Sequence, residues 1–181
     1  MKKQFGAVGV VLLSIGMLSL PGFAQQGKSK PLSPPAKATC QFADGKTITV
    51  EYSSPRMRGR KIYGGLVPFD EVWRLGANKA TTFNTTADVI VDGKEVPAGN
   101  YTLFAIPAPS HWTLIISKKT GEWGIPYPGE SFDFARVPMT ISSLPSKLED
   151  FTISFTPSGK TCDMHADWEM TRASIMIREK K

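Results

Sequence analysis

The sequence predicts an all-β protein: a single β-sandwich of jelly-roll or Greek-key connectivity carrying one short helix. Eight or nine short segments alternate apolar and polar residues with a period of two, or run β-branched throughout. Glycine and proline punctuate the chain between them, and no long segment shows the 3.6-residue period of a helix.

The chain opens with Met1-Lys2-Lys3-Gln4, an apolar run over 5–20 and then Pro21-Gly22-Phe23-Ala24. A short basic region, an apolar stretch and small residues at a cleavage point read as a signal peptide over 1–24, cut after Ala24. The apolar run is shorter than the roughly 20 residues that span a bilayer. No other segment reads as a membrane span, so no membrane association is expected after cleavage. The expected location is the periplasm or the medium. Residues 25–39 include "KSKPLSPPAK" and read as a Pro-rich linker, leaving 40–181 as one domain.

Within that domain "KTITVEYS" (46–53) sets Ile48, Val50 and Tyr52 against Thr47, Thr49 and Glu51, the pattern of a half-buried strand. Strands follow at 80–84 and 87–91, and the Asp92-Gly93 turn leads into "KEVPAGNYTLFAIP". There Tyr101, Leu103 and Ala105 alternate with Thr102, Phe104 and Ile106, so both faces are apolar and the strand is expected to be central. A hairpin at 107–111 turns into "WTLIISK" (112–118). Residues 119–133, "KTGEWGIPYPGESFD", read as a long loop with two rings to tuck away. The remaining strands are expected at 134–141, 150–156, 161–168 and 172–177. The expected helix is "PFDEVWRLGAN" (68–78), with Pro68 near its start, Asp70 and Glu71 in the first turn, Arg74 in the last and Gly76 beyond.

Two cysteines, Cys40 and Cys162, stand near the ends of the domain. An even count in an exported chain predicts a disulfide, the alternative being two buried thiols on adjacent strands. Charge excludes little beyond nucleic acid. Without Lys2 and Lys3 the 22 basic residues become 20 against 16 acidic ones, a mild net charge of +4 with no basic helix or long run of like charge.

Metal chemistry finds no support, because His111 and His165 have no third ligand at a diagnostic spacing, and no cofactor motif is present. His165 has Asp163 and Asp167 two residues to either side and therefore on its own strand face, which reads as a solvated polar face. No Gly-x-Ser-x-Gly elbow marks a nucleophile. A carboxylate pair could be assembled only from residues distant in sequence, among them Asp70, Glu71, Glu130, Asp133 and Glu169.

The densest stretch is "GRKIYGGLVPFDEVWRLGANKATTF" (59–83), which holds four cations, a tryptophan and four glycines. Forked arginine donors beside an aromatic ring and a flexible backbone are the groups that hold a carboxylate, phosphate or sugar. Arg56, Arg60, Trp73, Arg74 and Asn78 are therefore the candidate ligand site. The competing reading makes Trp73 a core plug, Arg74 its capping partner and Asn78 a turn residue.

These residues also carry a resemblance. Pro55-Arg56, the run Gly59 to Phe69, Val72-Trp73-Arg74, Gly76-Ala77-Asn78 and Ala80-Thr81 resemble the signature of the bacterial domain-of-unknown-function family 2911. The later "GKEVPAGNYTLFAIP", "WTLIISK", "EWG" and "DWEMTRASI" fall in that family's order, so the resemblance covers about 48–177. It implies an exported single domain and supplies no catalytic residues. Family members often carry glycine and a basic or polar residue at Asp70-Glu71 and glutamate at Lys79, so charge at these three positions carries no ligand assignment. The expectation is a binding domain for a small polar ligand, anionic or carbohydrate-like, or for a protein partner. A carboxylate-based hydrolase and a structural component of the cell envelope are the alternatives.

Overall fold

The computed structural model describes Met1 and residues 31–181. The expected signal peptide, apart from Met1, and the first part of the expected linker lie outside the described residues. Nine strands form one antiparallel sheet: β1 Pro35–Gln41, β2 Thr47–Ser53, β3 Thr81–Thr85, β4 Val89–Val91, β5 Lys94–Val96, β6 Gly99–Pro107, β7 Trp112–Ser117, β8 Asp133–Ser158 and β9 Thr161–Glu179. Their spatial order is β1-β2-β3-β6-β7-β8-β9-β4-β5. The β4–β5 hairpin leaves the chain between β3 and β6 and docks on the far side, with Val89 to Val91 paired to Glu179 to Ile177 of β9.

The sheet becomes a sandwich because β8 belongs to both layers. Its first residues, Asp133 to Met139, pair with β7, while Thr140 to Ser158 pair with β9. Alternation dictates what each layer turns inward: Ile48, Val50 and Tyr52 from β2, Phe83 from β3 and Leu103 from β6 meet Phe151, Ile153, Met164, Ala166 and Trp168 from the opposite layer. β6 is apolar on both faces and buried from Tyr101 to Ala105, as expected of a central strand. Its outward Phe104 joins Ala80 and Ile115 in a second small core, capped by Val72, Ile106 and Tyr127.

Two links tie the layers together. Cys40 of β1 and Cys162 of β9 form the expected disulfide. The Tyr52 hydroxyl of β2 accepts the Ile153 N–H of β8 at 2.9 Å, and Ser54 Oγ donates to the Phe151 carbonyl at 2.7 Å.

Three expectations are corrected. Residues 35–39 are not linker but the start of β1, where Pro35 opens an edge strand and needs no donor to the ladder. No helix forms over 68–78, and a single 3-10 turn, Glu130–Phe132, is the one helical element among the described residues. β3 ends opposite Leu103, which leaves the end of β6 without a neighbour on that side. Residues 70–73 fill the place: Trp73 N–H donates to the Ala105 carbonyl at 2.7 Å, Ala105 N–H returns to Trp73 at 2.8 Å, and Asp70 N–H reaches the Pro107 carbonyl at 2.8 Å. Leaving buried backbone groups unpaired costs more than the weak helical preference of two turns. Positive φ at Asp70, Leu75 and Asn78 completes the departure from a helix. Finally, of the aromatic rings in the 119–133 loop, Tyr127 packs edge-on against Phe104 but Trp123 remains 54% exposed.

Candidate functional site

The five candidate residues in and just before the 59–83 stretch are placed by their local backbone needs, and they do not converge. Arg56 pairs with Asp150 of β8 at 2.8 Å. Arg60 donates from Nε to the Met57 carbonyl at 3.0 Å and from its terminal nitrogen to the Arg56 carbonyl at 2.7 Å, closing the turn that contains it. Asn78, at φ +58°, reaches the Ser33 carbonyl at 3.3 Å. Arg74 donates to the Trp123 carbonyl at 3.3 Å and lies over that indole, 5.8 Å from its centroid.

Trp73 points into the molecule. Its ring stacks on Trp168 at 6.0 Å and meets Phe151 at 5.0 Å and Trp112 at 6.1 Å edge-on, while Nε1 donates to the Gly76 carbonyl at 3.0 Å. Tyr63 joins this cluster through Trp112 at 5.1 Å, and burial, with Glu169 and Asp167 adding to it, pushes its phenol far up. The stretch thus closes the end of the sandwich, and none of its five residues lines the grooves described next.

The most constructed groove lies elsewhere, on the outer side of β4, β8 and β9. It has a volume of about 490 Å³, and its lining includes Asp92, Asp163, His165, Ser174 and Arg178 beside apolar residues such as Ile90 and Met176. Its shape comes from a fold in β9. His165 and Ser174 are nine residues apart on that strand, yet Nδ1 and Oγ stand 2.8 Å apart. A straight strand of nine residues would hold them roughly 30 Å apart, so β9 doubles back between them. Glu169, at φ +57°, is the turning point, and the partner strand β8 loses register between Ser143 and Leu148 and again before Thr152. Across the bend Arg172 grips Asp167 with two parallel bonds, Nε to Oδ1 at 2.9 Å and a terminal nitrogen to Oδ2 at 2.6 Å. Asp167 is buried and Arg172 is half-exposed, so the pair pins the bend from its surface side.

Inside the bend, His165 is held from two sides. Nδ1 faces Ser174 Oγ, and Nε2 lies 3.0 Å from Thr156 Oγ1 on β8. Burial pushes the imidazole below its ordinary value and Arg172 adds to this, with Asp167 and Asp163 pulling the other way. Asp163 lines the groove with one carboxylate oxygen, Oδ1, buried and without a hydrogen-bond partner. Leaving such an acceptor dry costs about 1–3 kcal/mol.

Sequence reasoning placed Asp163, His165 and Asp167 on one strand face but read that face as solvated. The gap between the expected strands at 161–168 and 172–177 falls where the bend lies, but the two are one continuous strand. No periodicity announces that the bend brings Ser174 and Arg172 back to these residues. Asp167 also separates from the other two in role, being clamped by Arg172 away from any ligand.

Two further grooves have less built into them. One of about 580 Å³ lies on the outer face of β1, β2, β3 and β6, where Asn84 already donates to Asn100 at 2.6 Å and Lys37 pairs with Glu51 at 3.4 Å. The other gathers Lys160, Lys180 and Lys181 around the Lys46 ion pairs with Asp44 and Glu179. Among the described residues no cluster of three metal-ligating side chains occurs, and no helix is long and apolar enough to cross a membrane.

Comparison with known proteins adds the lineage of this architecture and no activity. No curated protein and no solved structure matches the chain. The family model described as "Protein of unknown function (DUF2911)" matches residues 33–177 of the 181, and by that match the chain belongs to the DUF2911 family.

Proposed function

We propose that this protein is an exported binding domain whose groove over β4, β8 and β9 takes a small hydroxyl-rich, carbohydrate-like ligand. The observation that carries the reading is the buried, unpartnered Oδ1 of Asp163 at the groove wall. A turn of the Asp163 side chain that brings this oxygen to a ligand hydroxyl would supply the missing bond, and the gain would appear as affinity. The neighbouring groups suit the same chemistry. Ser174 and Thr140 offer hydroxyls, Arg178 offers forked donors, and Ile90 and Met176 offer apolar surface to a ring face. Two carboxylates, Asp92 and Asp163, line the groove against the single Arg178, a balance that disfavours an anionic ligand. The disulfide is compatible with export, since such bonds persist in oxidising compartments.

The test is a thermal-shift and calorimetric screen of neutral sugars and polyols against organic acids and phosphates. A neutral polyol is expected to raise the melting temperature by mass action, and the effect is expected to vanish in Asp163→Ala. Stabilisation by acids or phosphates alone, or an undiminished response in Asp163→Ala, overturns the reading.

A further inference from the structure

We infer that the same groove is an esterase-type acyl-transfer site in which Ser174 is the nucleophile, His165 its general base and Thr156 the residue that positions the imidazole. The inference rests on the binding reading and narrows its ligand to a small O-acyl ester of a hydroxylated compound.

Two contacts define the arrangement. Ser174 Oγ lies 2.8 Å from His165 Nδ1, within the reach a general base needs. On the opposite edge of the ring Nε2 lies 3.0 Å from Thr156 Oγ1. Ser174 and His165 line the groove, whereas Thr156 lies outside it and is exposed. A neutral imidazole has one donor and one acceptor nitrogen. If Nε2–H donates to Thr156, Nδ1 is left bare toward the serine hydroxyl. This is nucleophile, base and orienter in line, the relation that recurs on unrelated folds and is known by geometry and not by chain position. The half-buried setting, with Arg172 nearby, lowers the proton affinity of the imidazole and so favours the neutral form a base requires. Arg178 is the cationic side chain of the groove and the candidate to face the charge that develops on the carbonyl oxygen.

The chemistry balances without a cofactor. Ser174 Oγ bonds to the ester carbonyl carbon while its proton passes to Nδ1. The carbon–alkoxy bond then breaks and the alkoxide leaves as an alcohol, taking that proton. Water attacks the acyl-serine and gives a proton to Nδ1. Oγ departs with it, and the carboxylic acid is released. Thr156 meets His165 through the pairing of β8 with β9, and Ser174 meets it through the bend in β9, which explains why no local motif accompanies them.

The experiment uses the purified full chain and a fluorophosphonate ester, which bonds covalently to activated serines. One adduct per chain, mapped to Ser174 by peptide mass spectrometry, is the expected result. His165→Gln is expected to slow labelling about 100-fold or more, the usual share of a general base. Labelling should rise with pH through the titration of His165, which is faced by Asp163, Asp167 and Arg172 of β9, with Asp92 and Arg178 also in the groove. Thr156→Val is expected to lower the rate and displace that pH profile, and Thr156→Ser to restore both. No adduct at Ser174 in the folded wild-type chain, or equal labelling of His165→Gln, overturns the inference. Polyol binding without labelling sinks the inference and leaves the binding reading standing. Labelling without polyol binding does the reverse.

Discussion

His165 shows how one residue's surroundings decide its chemistry. A histidine on an open strand face would titrate near 6.5, but here the bend buries the ring and sets Arg172 nearby, so its folded value is depressed. The sign of the linkage follows. Between the depressed folded value and about 6.5 the unfolded chain binds more protons than the folded one. The contribution of His165 to stability is therefore complete above the unfolded value and declines as pH falls through it toward the folded value. Urea denaturation at intervals from pH 5 to 8 should show wild-type stability falling on the acid side relative to His165→Gln, which keeps polar atoms but does not titrate there. Parallel curves for the two proteins would mean that the ring is as solvated in the folded state as in the unfolded one.

At the scale of elements, the instructive case is the 119–132 loop and the outer face that it covers. Gly124, at φ +89°, passes so close to the sheet that an added Cβ would lie 2.9 Å from both Ala80 Cβ and Arg74 Cβ. Gly124→Ala therefore meets a steric conflict and an unfavourable backbone together. It should lift the loop from Phe104 and Ile115, cost more than about 1 kcal/mol, change Trp123 fluorescence and open the loop to limited proteolysis. A proteolytic pattern identical to wild type would show that the loop does not depend on this approach. The same region shows which features are legible in sequence. β2, β6 and β7 could be read because alternation and β-branching report burial directly, and the loop because glycine and proline forbid regular structure. Three-residue β5 and edge strand β1 could not, since Lys94-Glu95-Val96 and Pro35-Ala36-Lys37 carry too few buried positions to show a period. Residues 70–73 were misread because capping residues satisfy a helix locally, whereas the unpaired end of β6 that claims them lies thirty residues further on. The five candidate residues in and just before the 59–83 stretch have structural partners. Arg56, Arg60 and Asn78 carry their donors to backbone or to Asp150, which composition cannot distinguish from donors held out to a ligand.

The whole molecule is a single sheet folded over, and such a sheet needs something to keep its two layers closed. On one side β8 passes continuously from layer to layer. On the other, β1 is an edge strand, and the Cys40–Cys162 bond fastens it to β9 across a sequence separation of 122 residues. In the chain-entropy model a loop of that size restricts the unfolded ensemble by about 4–5 kcal/mol. Both sulfurs belong to the core, with Cys40 2% exposed and Cys162 fully buried, so the native geometry has little slack. The paired substitution Cys40→Ala/Cys162→Ala is therefore expected to cost about 2–5 kcal/mol. At roughly 2–4 °C per kcal/mol for a chain of this length, its melting temperature should fall by about 5–20 °C. Because the cross-link acts on the unfolded chain, the urea m value should rise as the unlinked ensemble expands. The Tyr52–Ile153 and Ser54–Phe151 bonds remain to hold the layers, so the variant should still fold and its near-ultraviolet signal from the Trp73–Trp112–Trp168 cluster should persist. An unchanged m value with a large loss of stability would place the effect in native packing around the sulfurs, and an unchanged melting temperature would show that β8 and the side-chain bonds alone close the sandwich.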